Sequence, residues 1–256
     1  MADPIHLREF FRIPFPHTLS ATVRSLLDRL PTDCALCLAR SQGGRPCEGC
    51  LSDLLQGLPD RRCPVCALGL PPNTACPDCA LLQPAFARVI SALEYKPPVD
   101  QLILQFKNAG RFQHARFMAE ILASAVRLEA PELLDEITIV LPVPSGRLAL
   151  RRRGFNPAAE IARQLAGRLC LRYWPIVAHR RHDGISQKTL NRHARAKFQA
   201  NRYACRHRLS GETVAVVDDV LTTGATLHAV ANELMQAGAK SVVGLVVART
   251  PYQRKN

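Results

Sequence analysis

The stretch "VAVVDDVLTTGATL", residues 214–227, runs from four apolar residues through two adjacent aspartates into threonines and a glycine. Its apolar start reads as a buried strand, and "GATLHAVANELMQAG" behind it as a helix closed by glycine. In open parallel sheets ligands bind beyond the carboxyl ends of strands, where the turn into the next helix presents free backbone N–H groups at a positive dipole end. Thr222, Thr223 and Thr226 add hydroxyl donors there. Gly224 spares the loop a Cβ, and with Ala225 these residues form a cradle suited to a phosphate monoester. Asp218 and Asp219 stand just before it, where carboxylates accept hydrogen bonds from a diol and assist a divalent cation but would repel a phosphate placed on them. A diol beside a phosphate describes ribose 5-phosphate. Adjacent strand residues point to opposite faces, so at most one aspartate faces such a ligand squarely, and neither is assigned as a general base.

Working outward, "ARVISALEY", "EITIVLPVP" and "SVVGLVVAR" read as further strands. "PPVDQLILQFK" and "QHARFMAEILASAVRL" read as amphipathic helices, and "NPAAEIARQLAGRL" as a helix with an asparagine cap followed by proline. Strands alternating with helices imply an α/β fold with a parallel sheet.

The amino-terminal third follows another pattern. Cys34, Cys37, Cys47, Cys50, Cys63, Cys66, Cys76 and Cys79 form four CxxC pairs, and Cys34 to Cys63 spans the same 29 residues as Cys47 to Cys76. That is an internal repeat with metal-ligand spacing, and four thiolates close the coordination sphere of a structural Zn²⁺. Two zinc sites are expected, the first pair with the second and the third with the fourth, or else interleaved. Proline and glycine crowd the segment and its apolar periodicity is poor, so it needs metal to fold. The expected division is a tail and short helix at 1–30, a double zinc ribbon at 31–83 and an α/β domain at 84–256.

Cysteines at such spacing suit a reducing compartment. The first 30 residues carry charges throughout and lack the apolar core of a secretory signal, and no apolar run approaches the roughly 20 residues of a bilayer span. A cytoplasmic protein without a membrane span is expected. The formal charge of +13 falls to roughly +9 if eight thiolates hold two Zn²⁺ ions, still basic enough to favour anionic partners. Residues 179–208 hold nine Lys or Arg and four His against a single acid, Asp183, which suits a solvated basic face, a loop closing over phosphates, or a nucleic-acid track. Cys170 and Cys205 have no partner at ligand spacing, and no HExxH, GxGxxG or GxxxxGK occurs.

These residues carry a family resemblance. "VAVVDDVLTTGATL" resembles the phosphoribosyl pyrophosphate (PRPP) motif of type I phosphoribosyltransferases. The cysteine pairs, "YKPPVDQLILQFKNAG", "PVPSGRLALRRRGFNPA", "SQKTLNRHARAKFQANRY" and the terminal "VVART" together resemble the ComF/GntX family over about residues 26 to 250. The resemblance implies a type I phosphoribosyltransferase-like parallel sheet flanked by helices, with an amino-terminal double zinc ribbon. It implies that Asp218 and Asp219 hold the ribose hydroxyls with Mg²⁺, and that Thr222, Thr223, Gly224, Ala225 and Thr226 hold the 5-phosphate. Ser145, Gly146 and Arg147 would form the pyrophosphate loop, Arg153, Gly154, Phe155 and Asn156 the family's own signature, and Gln187 and Arg195 part of a closing loop. Gly184 departs from the threonine that relatives tend to carry. Implied too are PRPP as ligand, an acceptor the sequence does not name, and a role in competence and DNA uptake beside a helicase-like partner. The rival reading is a non-catalytic module that binds single-stranded DNA through the ribbon and basic surface, its PRPP site regulatory or vestigial.

Overall fold

The computed structural model describes residues 30–252, apart from positions 35, 44, 57, 110–112 and 182–201. Two short strands, β1 (Pro31–Asp33) and β2 (Arg40–Gln42), pair antiparallel ahead of helix α1 (Glu48–Gln56), and α2 (Pro77–Leu82) closes the cysteine-rich segment. Then come β3 (Arg88–Glu94), α3 (Val99–Ala109), α4 (Gln113–Glu129), a single turn α5 (Leu133–Glu136), β4 (Ile137–Pro142), α6 (Arg147–Arg153), α7 (Pro157–Leu169) and β5 (Arg172–Tyr173). A small hairpin of β6 (Ala178–Arg180) and β7 (Tyr203–Cys205) flanks residues 182–201, and β8 (Thr213–Leu221), α8 (Ala225–Gln236) and β9 (Ser241–Arg249) complete the chain.

Five strands form one sheet in the order β3-β9-β8-β4-β5. Every neighbouring pair is parallel, as the alternation of strands and helices requires. The motif strand β8 lies at the centre, covered on both faces, which is why its apolar run shows no alternation. Ala215 and Val217 enter a core built with Phe106 of α3, Met118 and Leu122 of α4 and Ile161 and Leu165 of α7. Val214 and Val216 face the other way, into a core with Leu227, Val230 and Leu234 of α8.

The cysteine-rich segment repeats in three dimensions as it does in sequence. Cys34 accepts from the amide of Leu38 and donates to Ala39; Cys63 accepts from Ala67 and donates to Leu68. Leu38 and Ala67 share a left-handed backbone, with φ of 62° and 55°. In each copy the second cysteine pair sits at a helix start, Cys47 accepting from Leu51 and Cys76 from Ala80. The two copies bury different surfaces. Leu54 of the first joins the core beneath α3 and α4, whereas Cys63, Cys66, Leu68 and the following Phe86 join the core beneath α8. Among the described residues no helix is long and apolar enough to cross a membrane.

Candidate functional site

The turn after β8 begins the site. Asp218 and Asp219 take opposite faces, as the pleat requires. Asp219 is buried, and its Oδ1 accepts from Lys107 Nζ, near the carboxyl end of α3, at 2.7 Å. Asp218 is half-buried, and desolvation, reinforced by the Asp219 charge, pushes its carboxyl up to about 8. Its oxygen accepts from the Asp219 amide at 2.9 Å. Thr222 and Thr223 are exposed and Thr226 half-buried. Gly224, at φ 79°, precedes α8 and accepts from the His228 amide. Beyond its left-handed backbone, a Cβ at Gly224 would meet Leu82 Cδ2 at 3.3 Å. The glycine therefore also lets the loop pack against the end of the cysteine-rich segment.

The loop holding Ser145, Gly146 and Arg147 leaves β4, the strand beside β8. Their pairing continues into it, because Val143 N donates to Val217 O at 2.8 Å, one residue before Asp218. Asn156 holds this loop to α7. Its Oδ1 accepts from Ala158 N at 3.1 Å, capping the helix before Pro157, and from Ser145 Oγ at 2.8 Å, while Nδ2 donates to Val143 O at 3.0 Å. The rest of the signature shapes the turn between α6 and α7. Arg153 ends α6, Gly154 caps it at φ 78°, and the Phe155 ring lies 5.4 Å from that of Phe106.

Between this loop and the β6–β7 hairpin lies a cavity of about 570 Å³, lined by Ser145, Arg147 and Asn156 from one side and Arg180, Arg181 and Arg206 from the other. The fold thus brings Arg147 to the same cavity as Arg180, Arg181 and Arg206, although the aspartate pair and the threonine loop do not line it. Gln187 and Arg195 lie outside the described residues.

The eight paired cysteines form two groups, Cys34, Cys37, Cys47 and Cys50, and Cys63, Cys66, Cys76 and Cys79, with the sulfurs of each all within 4.8 Å of one another. First pair joins second and third joins fourth. Four thiolates at Zn–S bond lengths stand about 3.8 Å apart at the corners of a tetrahedron. Cys37 and Cys47 lie at 3.5 Å, Cys63 and Cys79 at 3.7 Å, and Cys66 and Cys76 at 3.4 Å, so both groups fit zinc. Their electrostatics ask for a cation. Burial opposes ionisation of Cys34, but amide donors from Cys37, Cys47 and Leu36 outweigh it and bring the thiol down to about 6. Burial and the neighbouring sulfurs push Cys50 and Cys79 well above the ordinary thiol range. Four sulfurs this close cannot all ionise without a metal between them.

Sequence reasoning missed three contributors. Lys107 read as one basic residue on an amphipathic helix. Arg249, inside the quoted "VVART", is buried against Cys66, Leu221 and Asp78. His228 accepts from Ala85 N through Nδ1 at 3.1 Å, and burial lowers its pKa, which keeps it neutral as that acceptor role requires. Lys107 and Arg249 lie inside the quoted "YKPPVDQLILQFKNAG" and "VVART", but neither piece named a partner.

Residues 148–256 match the phosphoribosyl transferase domain family. DNA utilization protein YhgH of Salmonella typhimurium is 30% identical over 171 residues, 65% of this chain and 74% of that protein. The chain belongs to the ComF/GntX family. Another relative is competence protein F of Haemophilus influenzae, 27% identical over 170 residues, covering 62% of this chain and 72% of that one. Among solved structures, adenine phosphoribosyltransferase from Rhodothermus marinus aligns with 56% of this chain and 70% of its own at 19% identity and a TM-score of 0.33. As a ComF/GntX protein the chain pairs a phosphoribosyltransferase-type parallel sheet with two four-cysteine groups able to hold zinc.

Proposed function

We propose that this chain binds PRPP with Mg²⁺ at the carboxyl ends of β4 and β8. The carrying observation is the junction itself: an aspartate pair ends the central strand, a glycine-threonine loop leads from it into α8, and the arginine-bearing loop leaves the adjacent strand. Asp218 or Asp219 would accept from the ribose hydroxyls, and amides and hydroxyls of Thr222 to Thr226 would hold the 5-phosphate. Ser145, Gly146 and Arg147 would face the pyrophosphate. Mg²⁺, when bound, would supply charge neutralisation to that leaving group. Loss of pyrophosphate from the anomeric carbon builds oxocarbenium character, so the protein's task is to hold ribose still and stabilise the departing anion, a task the arginines of the cavity suit.

The names of the relatives, DNA utilization protein and competence protein, favour a role in handling incoming DNA in the cytoplasm. A second reading, direct binding of single-stranded DNA with a helicase-like partner, draws on one observation: the cavity gathers Arg147, Arg180, Arg181 and Arg206.

Calorimetric titration of the zinc-loaded protein with PRPP and Mg²⁺, beside the D218A/D219A variant, tests the first reading. Saturable binding lost in the variant, with zinc content unchanged, supports it. Absence of binding in the parent protein defeats it. A steep loss of oligonucleotide binding with salt would support the second reading, and a salt-independent response would remove it.

A further inference from the structure

One buried guanidinium joins the second cysteine cluster to the threonine loop. Arg249 closes β9 with only 2% of its surface exposed. Its Nε donates to the Cys66 carbonyl at 3.1 Å, and its Nη2 donates to Asp78 Oδ2 at 2.6 Å and lies 3.9 Å from Cys66 Sγ. Nη1 turns the other way and donates to the carbonyls of Leu221, at 3.1 Å, and Thr222. Thr250 Oγ1 donates to the same two carbonyls.

This pattern fixes the loop's donors. In a planar trans peptide the carbonyl of one residue and the N–H of the next point in opposite directions. Holding the Leu221 and Thr222 carbonyls toward Arg249 therefore aims the amides of Thr222 and Thr223 away from it. Two further contacts tie the same loop to the end of the second repeat: Leu82 fills the space beside Gly224, and the Ala85 amide is held by His228, one turn into α8. The first cluster has a different anchor, an ion pair of Arg45 with Glu120 on α4 at 2.7 Å.

We propose that Arg249 is a positioning residue through which the second cysteine cluster, and not the first, sets the geometry of the threonine loop, so that metal held by Cys63, Cys66, Cys76 and Cys79 strengthens binding of a phosphate monoester there. The Cys66 turn supplies one acceptor of Arg249, and Asp78, between Cys76 and Cys79, supplies its counter-charge. Without metal nothing cross-links the Cys63–Cys66 turn to the helix that carries Asp78, so the two are free to separate and the guanidinium loses both partners on that side. Coupling of this kind is reciprocal, so a bound phosphate ester in turn tightens metal in the second cluster. The ligand half rests on the phosphate reading of the loop; the positional half does not.

The test uses the full, zinc-loaded chain. Hydrogen exchange is followed at the amides of His228 and Thr250, which donate to Gly224 and Leu221 at the two ends of the loop, in R249Q, R249K, C76S and C47S, and PRPP with Mg²⁺ is titrated into each. Exchange in that loop should quicken about tenfold in R249Q and C76S, with β3 and β4 unchanged, while C47S leaves it alone and R249K recovers part of the protection. PRPP should bind about tenfold more weakly in R249Q and C76S only. Unchanged loop exchange in R249Q, or an equal effect in C47S, overturns the proposal. Should R249Q fail to fold, D78N weakens the same contact from a side chain 22% exposed and carries the same comparison. If PRPP binds to none of these proteins while loop exchange shifts as expected, the phosphate reading fails and the positioning role stands. If PRPP binds R249Q as tightly as the parent, the coupling fails and the phosphate reading stands.

Discussion

Lys107 Nζ lies 2.7 Å from Asp219 Oδ1, with the two side chains 20% and 12% exposed, so one aspartate of the motif is neutralised from α3 before any ligand arrives. Its neighbour Asp218 also feels the Lys107 charge, but desolvation and the Asp219 carboxylate outweigh it and push Asp218 toward the protonated form. One fold thus gives two adjacent, identical residues different surroundings, an ion pair for Asp219 and a desolvated site for Asp218, because the pleat sends them to opposite faces.

Removing the lysine leaves the Asp219 charge poorly solvated and unpaired. K107M should cost about 2 kcal/mol, less than for a fully buried pair, and lower the melting temperature by about 4 to 8 °C. D219N placed on K107M should recover part of that loss. Thermal denaturation of the two single variants and the double variant checks this, and strictly additive effects would show that the pair contributes nothing.

The raised Asp218 sets a pH dependence with a defined sign. A carboxyl whose folded pKa, about 8, exceeds its unfolded value binds more protons in the folded state, so its contribution to stability falls as pH climbs from about 4 toward 8. D218N should flatten that part of the stability curve. Ligand binding should move oppositely, because a diol and Mg²⁺ favour the carboxylate: PRPP affinity should rise between about pH 7 and 9 in the parent and stay level in D218N. Denaturant midpoints and calorimetric titrations across this range report the two slopes.

The cysteine clusters should be separable. C47S and C76S should each reduce bound zinc from two ions per chain to one, read by elemental analysis. Their stability effects should differ, because Cys63 and Cys66 belong to the core beneath α8, whereas the first cluster reaches the opposite core mainly through Leu54. C76S should therefore lower the melting temperature more than C47S; the reverse order would show that the second repeat is not part of that core.

Asn156 serves a helix cap and a loop at once. N156A removes the acceptor for Ala158 and Ser145 and the donor to Val143, and should cost about 1 to 2 kcal/mol. N156D keeps the two accepted bonds but loses the donated one, so it should recover most of the stability. Chemical denaturation distinguishes the two variants, and equal losses would mean that the bond to Val143 carries the effect.

Much of the molecule was legible because its signals are local. The Val-rich run of β8, the aspartate pair, the glycine at a left-handed turn and the asparagine before a helix-starting proline each act within a few residues of themselves. The repeat in the cysteine spacing likewise anticipated two equivalent turns, since the same spacing imposes the same backbone hydrogen bonds in each copy. The ion pair of Lys107 with Asp219 and the bridge from Asp78 through Arg249 to Leu221 join residues far apart in the chain, and no local pattern pairs them. Sequence fixes a local hydrogen bond through the backbone it bends. A buried charge finds its partner only once packed layers have excluded water, and that choice belongs to the tertiary structure.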